Sequence, residues 1–243
     1  MNNADIVLIC GDCLDELPKL PPASVDLILC DLPYGTTRNR WDCVLPLELM
    51  WQLYETILKP NGAVLLFAQT PFDKALGASN LKMLKYEWIW QKPQGTGHLN
   101  AKKAPLKAHE NILVFYNRPP PYFPQMTEGK PYRCVSGRGS SNYDGQVRTL
   151  TVNMGLRYPT SVLRFNADKG LHPTQKPQAL CEYFIKTYTE PGAVVLDNCM
   201  GSGTTGAAAV RLGRKFIGIE KNPKYFDVAK KRIEEAGTTD GSG

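Results

Sequence analysis

No apolar run in this 243-residue chain approaches the roughly 20 residues that a membrane span needs. Asp5 falls too early for the apolar core of a secretory signal, so the sequence predicts a cytoplasmic protein. Histidine is scarce: His98, His109 and His172 lie far apart, and no second C-x-x-C pair joins Cys10–Cys13. No metal site is expected from such a set. Seven cysteines, an odd number without regular spacing, exclude a disulfide framework and read instead as buried thiols, with Cys10 facing the core at the end of a strand. No segment repeats. At 42% hydrophobic residues the chain is long enough to bury a core without staples.

Net charge is only +6, but the total conceals a segregation. Residues 1–60 hold 4 basic and 9 acidic groups, whereas residues 61–165 hold 14 basic and 5 acidic ones. A basic middle suits a polyanion, and equally a solvated lysine-rich surface.

What the chain does contain is a series of short apolar runs bounded by turn residues, at 6–10, 25–30, 63–68, 86–91, 112–116, 193–197 and 215–219. Such runs predict strands buried on both faces. Helices are expected over 46–58, 177–189, 203–213 and 223–236. In the first of these Met50, Leu53, Tyr54, Ile57 and Leu58 share one face. Seven strands with interleaved helices predict an α/β fold, a doubly wound, Rossmann-like sheet. The rhythm breaks at 118–165, rich in proline, glycine, aromatics and arginine, which reads as a functional, loop-rich insertion. The expected organisation is one half-domain over 1–117, the insertion over 118–165, the second half over 166–236 and a disordered tail at 237–243.

The strongest local signal is the strand Val194-Val195-Leu196-Asp197 running into Asn198-Cys199-Met200-Gly201-Ser202-Gly203-Thr204-Thr205-Gly206. Glycines are needed where a ligand lies against backbone, and the helix that follows offers its N-terminus. The next strand ends in Glu220, placed to accept the two ribose hydroxyls of an adenosine. A dinucleotide needs a second binding half downstream, for which no strands remain. Asp197 would also repel a pyrophosphate, so the cationic S-adenosylmethionine suits this site better than NAD.

At the end of the second strand stands Asp31-Leu32-Pro33-Tyr34-Gly35, where open α/β sheets place their ligands. This turn suits an exocyclic nucleobase amine, whose lone pair is delocalised into the ring. Asp31 and the Leu32 carbonyl are placed to accept its two N–H bonds, and Tyr34 to stack on an extruded base. A plain strand-terminating turn explains Pro33 and Gly35 as well.

These blocks together resemble the β-group of S-adenosylmethionine-dependent DNA amino-methyltransferases, the adenine-N6 and cytosine-N4 family. Asp31–Tyr34 is similar to its D/N/S-P-P-Y motif, and Asp197–Gly203 to its cofactor loop. Gly11-Asp12, Leu58-Lys59-Pro60-Asn61-Gly62 and His172-Pro173-Thr174-Gln175-Lys176-Pro177 agree in place, over about residues 5–235. The resemblance implies a catalytic turn of Asp31, Leu32, Pro33 and Tyr34, with Asp31 also bordering the cofactor. It implies that Asp197, Gly201, Gly203 and Thr204 line the methionine side, Glu220 holds the ribose and Asp12 the adenine amine. Thr174, Gln175 and Lys176 would lie near the carboxylate. Two departures stand out: Leu32 replaces the usual proline, and Asn198-Cys199 replaces Pro-Phe, which removes an aromatic edge expected to pack on the cofactor.

Aspartate at the head of the tetrad resembles adenine-N6 enzymes more than cytosine-N4 ones. Double-stranded DNA is then the expected partner, gripped by Lys92, Lys102, Lys103 and Lys107, with Arg133, Arg138, Arg148 and Arg157 in the target-recognition insertion contacting base edges or phosphates. Cytosine N4, an RNA base and a protein amide remain alternative substrates, and a sensor without catalysis an alternative class. Related enzymes often dimerise, so a homodimer is also in view.

Overall fold

A computed structural model describes residues 5–35, 44–135, 150–168 and 175–238. In chain order its elements are β1 (Ile6–Cys10), α1 (Cys13–Glu16), β2 (Val25–Cys30), α2 (Leu47–Ile57), β3 (Leu58–Ala68) and α3 (Phe72–Ser79). The long hairpin β4 (Leu84–Thr96) and β5 (Lys107–Phe115) follows, then the short strands β6 (Thr127–Glu128), β7 (Tyr132–Val135), β8 (Leu150–Asn153), β9 (Leu156–Arg157) and β10 (Val162–Arg164). The chain closes with α4 (Gln178–Tyr188), β11 (Val194–Asp197), α5 (Thr204–Arg211), β12 (Lys215–Glu220) and α6 (Pro223–Thr238).

Eight strands form one sheet in the order β1-β12-β11-β2-β3-β5-β4-β10. The first five run parallel, and β5 lies antiparallel to both of its neighbours. Leu27, Leu29, Leu65 and Phe67 turn one way, onto Leu180 and Phe184 of α4, Ala208 and Ala209 of α5, and Ile233 of α6. Ile28, Cys30, Val64 and Leu66 turn the other way, onto Met50, Trp51 and Tyr54 of α2 and Phe72 and Leu76 of α3. This alternation on strands hydrophobic throughout is why both faces carry helices. Each fully buried large apolar side chain contributes about 1.5–3 kcal/mol.

All seven anticipated strands are present in the doubly wound sheet, and Val162–Arg164 adds an eighth by pairing parallel with Ile89–Gln91. The described chain divides into two units, 1–123 with 161–243, and 124–160. The segment expected as an insertion over 118–165 therefore gives its last residues to the main sheet. The smaller unit consists of two short ladders, β6 with β9 and β7 with β8. Two further expectations are corrected. Cys10 is exposed, because β1 is an edge strand rather than one buried on both faces, and Cys13 is the buried member of the pair. Gly237 and Thr238, expected in a disordered tail, continue α6.

Candidate active site

Because β12, β11, β2 and β3 are parallel neighbours, their carboxyl ends adjoin on one edge of the sheet: Glu220, Asp197, Asp31 and Ala68 in succession. The winding direction reverses between β11 and β2, the place where such sheets bind ligands. Antiparallel β5 brings its beginning, and β4 its end, to the same edge, with Asn111 opposite Ala68 and Glu110 opposite Trp90.

The glycine-rich loop after β11 is built from both sides. Gly201 has φ +52° and donates its N–H to Glu220 Oε2 at 2.9 Å, and a Cβ there would meet no protein atom within 4 Å. Its bare backbone thus lies open to a ligand. Gly203, at φ +77°, caps α5, and a Cβ would come within 2.9 Å of Ala229 Cβ, so packing against α6 also demands glycine. Glu220 takes a second N–H from Asn222 at 2.7 Å. Burial pushes its carboxyl up while these backbone donors hold it down, and each oxygen keeps a lone pair for a hydroxyl. Gly11 donates to the Glu220 carbonyl, which sets Asp12 beside it. Asp12 caps α1 through the Leu14 N–H at 3.0 Å and pairs with Lys221 at 2.7 Å, and these contacts, Lys221 first, lower its carboxyl.

Asp197 is buried, and burial pushes its carboxyl up to about 7, against hydrogen bonds from Thr205, Cys30 and the Cys199 N–H. A buried carboxyl of this kind fits a cationic ligand group. Thr204 accepts from Arg232 at 2.8 Å, which ties the start of α5 to α6. The departures from Pro-Phe have a structural use. Asn198 is buried and accepts the Tyr54 hydroxyl at 2.6 Å, and Cys199 lies against the thiols of Cys13 and Cys30. Loop and α2 are thereby joined.

In the turn after β2, Leu32 is buried among the side chains packed with α2 and α3, so burial replaces the stiffness of the missing proline. Tyr34 donates to Asp31 Oδ1 at 2.5 Å and stacks on Phe72, ring centroids 5.2 Å apart and 27° from parallel. Lys176 lies 2.7 Å from Asp31 Oδ2 and 3.1 Å from Glu110, and Lys92 lies 2.6 Å from the other Glu110 oxygen. Burial raises the Asp31 carboxyl, which Lys176 opposes. Burial likewise works to raise Glu110, but Lys176 and Lys92 bring it below the usual value.

Two expected placements differ. Lys176 was read beside a cofactor carboxylate, yet its ammonium is held by Asp31 and Glu110. Lys92 was read as a phosphate contact, yet it is paired with Glu110. Arg157 sits over the Tyr132 ring at 4.6 Å and donates to Asn153 and the Lys130 carbonyl, engaged within the smaller unit. Arg133 is exposed on β7 of that unit, and Lys102, Lys103 and Lys107 are exposed around the β4–β5 connection. Gln175 borders the site in sequence, whereas Thr174, Arg138 and Arg148 lie outside the described residues. Glu110, Phe72 and Phe67, which touch Asp31, Tyr34 or Lys176, were not anticipated; the one sequence signal was a glutamate two residues before the apolar run Ile112–Phe115. Among the described residues no cluster of histidine, cysteine or carboxylate suits a metal ion.

The chain is 28% identical to the Type II methyltransferase M2.DpnII of Streptococcus pneumoniae, over 98% of this chain and 93% of that one. It is 26% identical to M1.HpyAVI, solved in complex with SAM, with a TM-score of 0.64 over 93% and 99% of the two chains. The cytosine-N4-specific PvuII DNA methyltransferase shares the fold, at a TM-score of 0.68 and 18% identity over 97% and 90%. A family model described as DNA methylase spans residues 25–231, and the chain belongs to that family, the N6/N4 DNA methylases.

Proposed function

We propose that the protein transfers the methyl group of S-adenosylmethionine to the exocyclic N6 of an adenine taken out of double-stranded DNA. The observation that carries this reading is the convergence of Asp31, Pro33 and Tyr34 with the glycine-rich loop after Asp197 and with Glu220 on adjoining strand ends. S-adenosylmethionine supplies an electrophilic methyl on a sulfonium, released as the carbon–sulfur bond breaks. The protein's part is to make a poor nucleophile attack. Asp31 accepts an N–H of the amine, drawing electron density onto nitrogen, and stabilises the positive charge that develops there until the N–H proton passes to solvent once the carbon–nitrogen bond has formed. Tyr34, backed by Phe72 and tied to Asp31, offers a ring for the extruded base. Glu220 holds the ribose and Asp197 faces the cationic end of the cofactor. Lys102, Lys103 and Lys107 supply phosphate contacts. Working on DNA, the enzyme belongs in the cytoplasm.

The test is to incubate the protein with genomic DNA and S-adenosylmethionine, digest the DNA to nucleosides and identify the methylated base. N6-methyladenine is expected. N4-methylcytosine overturns the choice of base, and no methylated base overturns the activity.

A further inference from the structure

Lys176 is only 7% exposed, so a buried ammonium here depends on its two carboxylates. Asp31 and Glu110 come from β2 and β5, and Lys92 from β4 closes the chain, giving two charges of each sign in one connected group. The aromatic side of the ammonium is also filled, with the Tyr34 ring centroid at 5.6 Å and that of Phe67 at 5.3 Å. The turn after β2, β3 and β5 thus converge on a lysine whose nearest partner, at 2.7 Å, is the carboxylate that the reaction needs.

We propose that Lys176 is a positioning residue for methyl transfer: anchored by Glu110, its ammonium fixes the orientation of Asp31 and keeps that carboxylate an anion able to accept from the target amine. This deepens the amino-methyltransferase reading and rests on it. Asp31 has Tyr34 on one oxygen and Lys176 on the other, so the carboxylate plane is set from both sides. The remaining charged or titratable groups bearing on Asp31 are Glu110 on β5, Asp197 on β11 and Cys30 on β2, with Lys92 acting through Glu110. Burial, Glu110 and Asp197 all favour a protonated Asp31, and Lys176 is the cation that opposes them. A protonated Asp31 loses the negative charge that draws on the amine. Lys176 is placed here rather than at a cofactor carboxylate, so its loss should change the pH dependence of methyl transfer while leaving cofactor binding in place.

The experiment measures single-turnover methyl transfer to genomic DNA between pH 5.5 and 9.5 for wild type, Lys176→Met, Lys176→Arg and the double variant Lys176→Met/Glu110→Gln. The double variant removes one charge of each sign, which guards against misfolding from an unpaired Glu110. Cofactor binding and thermal melting are recorded for each. In Lys176→Met the acid limb of the rate profile should move up by about one pH unit or more, with the rate on that limb down about tenfold and regained in alkali. Lys176→Arg should keep the wild-type limb, and the double variant should fall between, because the Glu110 charge is gone too. An acid limb left in place in folded Lys176→Met or in the double variant, with the rate lowered equally at every pH, overturns the positioning role alone. A wild-type protein that transfers no methyl group overturns the functional reading, and this role with it.

Discussion

The buried carboxyl of Asp197, at the end of β11, is pushed up to about 7, whereas a cation beside it favours the ionised form. Cofactor binding should therefore release a proton. The sign follows directly: below pH 7 the free site is protonated, so binding weakens as pH falls. Between pH 8 and pH 6 the Kd for S-adenosylmethionine should rise about tenfold. Calorimetry across that range checks this, and Asp197→Asn should bind more weakly with a nearly flat profile. At this scale the sequence was readable for groups whose neighbours are close in the chain, such as Asp31 with Tyr34 and Gly201 within its loop. Glu110 was not, because its meaning comes from Lys92 across a hairpin and from Lys176 far along the chain. The same distance hid the true partners of Lys176.

The strands were legible because runs such as Leu27–Cys30 and Val194–Leu196 are apolar at successive positions, as burial on both faces requires. Their order was not, and so Cys10 was misplaced: its exposure follows from the position of β1 at the sheet edge, which no local pattern encodes. β10 was missed because three residues carry no periodicity and are held by pairing with β4. The link between α2 and the cofactor loop was likewise invisible. Tyr54 shares the apolar face of α2, yet its hydroxyl serves Asn198. Tyr54→Phe keeps the ring and leaves the Asn198 carbonyl without this donor, at a cost of about 1–3 kcal/mol. A melting temperature lower by several degrees is expected, together with weaker cofactor binding from a loosened loop. Unchanged melting would show that the hydroxyl contributes nothing.

For the whole molecule, net charge was a poor guide and its distribution a better one. The acidic first quarter includes Asp12 and Asp31 of the candidate site, and the basic middle includes Lys102, Lys103 and Lys107, which are exposed. Lys92 belongs to the same basic stretch but is paired inside, so counting charges overstated the phosphate contacts. Replacing both Lys102 and Lys103 with Ala should weaken DNA binding. It should also flatten the slope of log affinity against log salt by about 1.8, two contacts at about 0.9 each. Filter binding over a salt series reads this directly, and an unaltered slope removes these two lysines from the interface.

In the proposed mechanism the Asp31 turn performs the chemistry while the glycine-rich loop after Asp197, together with Glu220, holds the cofactor. Single-turnover transfer of a labelled methyl group to DNA, measured for wild type and Asp31→Ala at saturating S-adenosylmethionine, tests it most directly. The variant should transfer at least about a hundredfold more slowly while binding the cofactor within a few-fold of wild type. An Asp31→Ala protein that binds the cofactor normally and transfers methyl at the wild-type rate would contradict it.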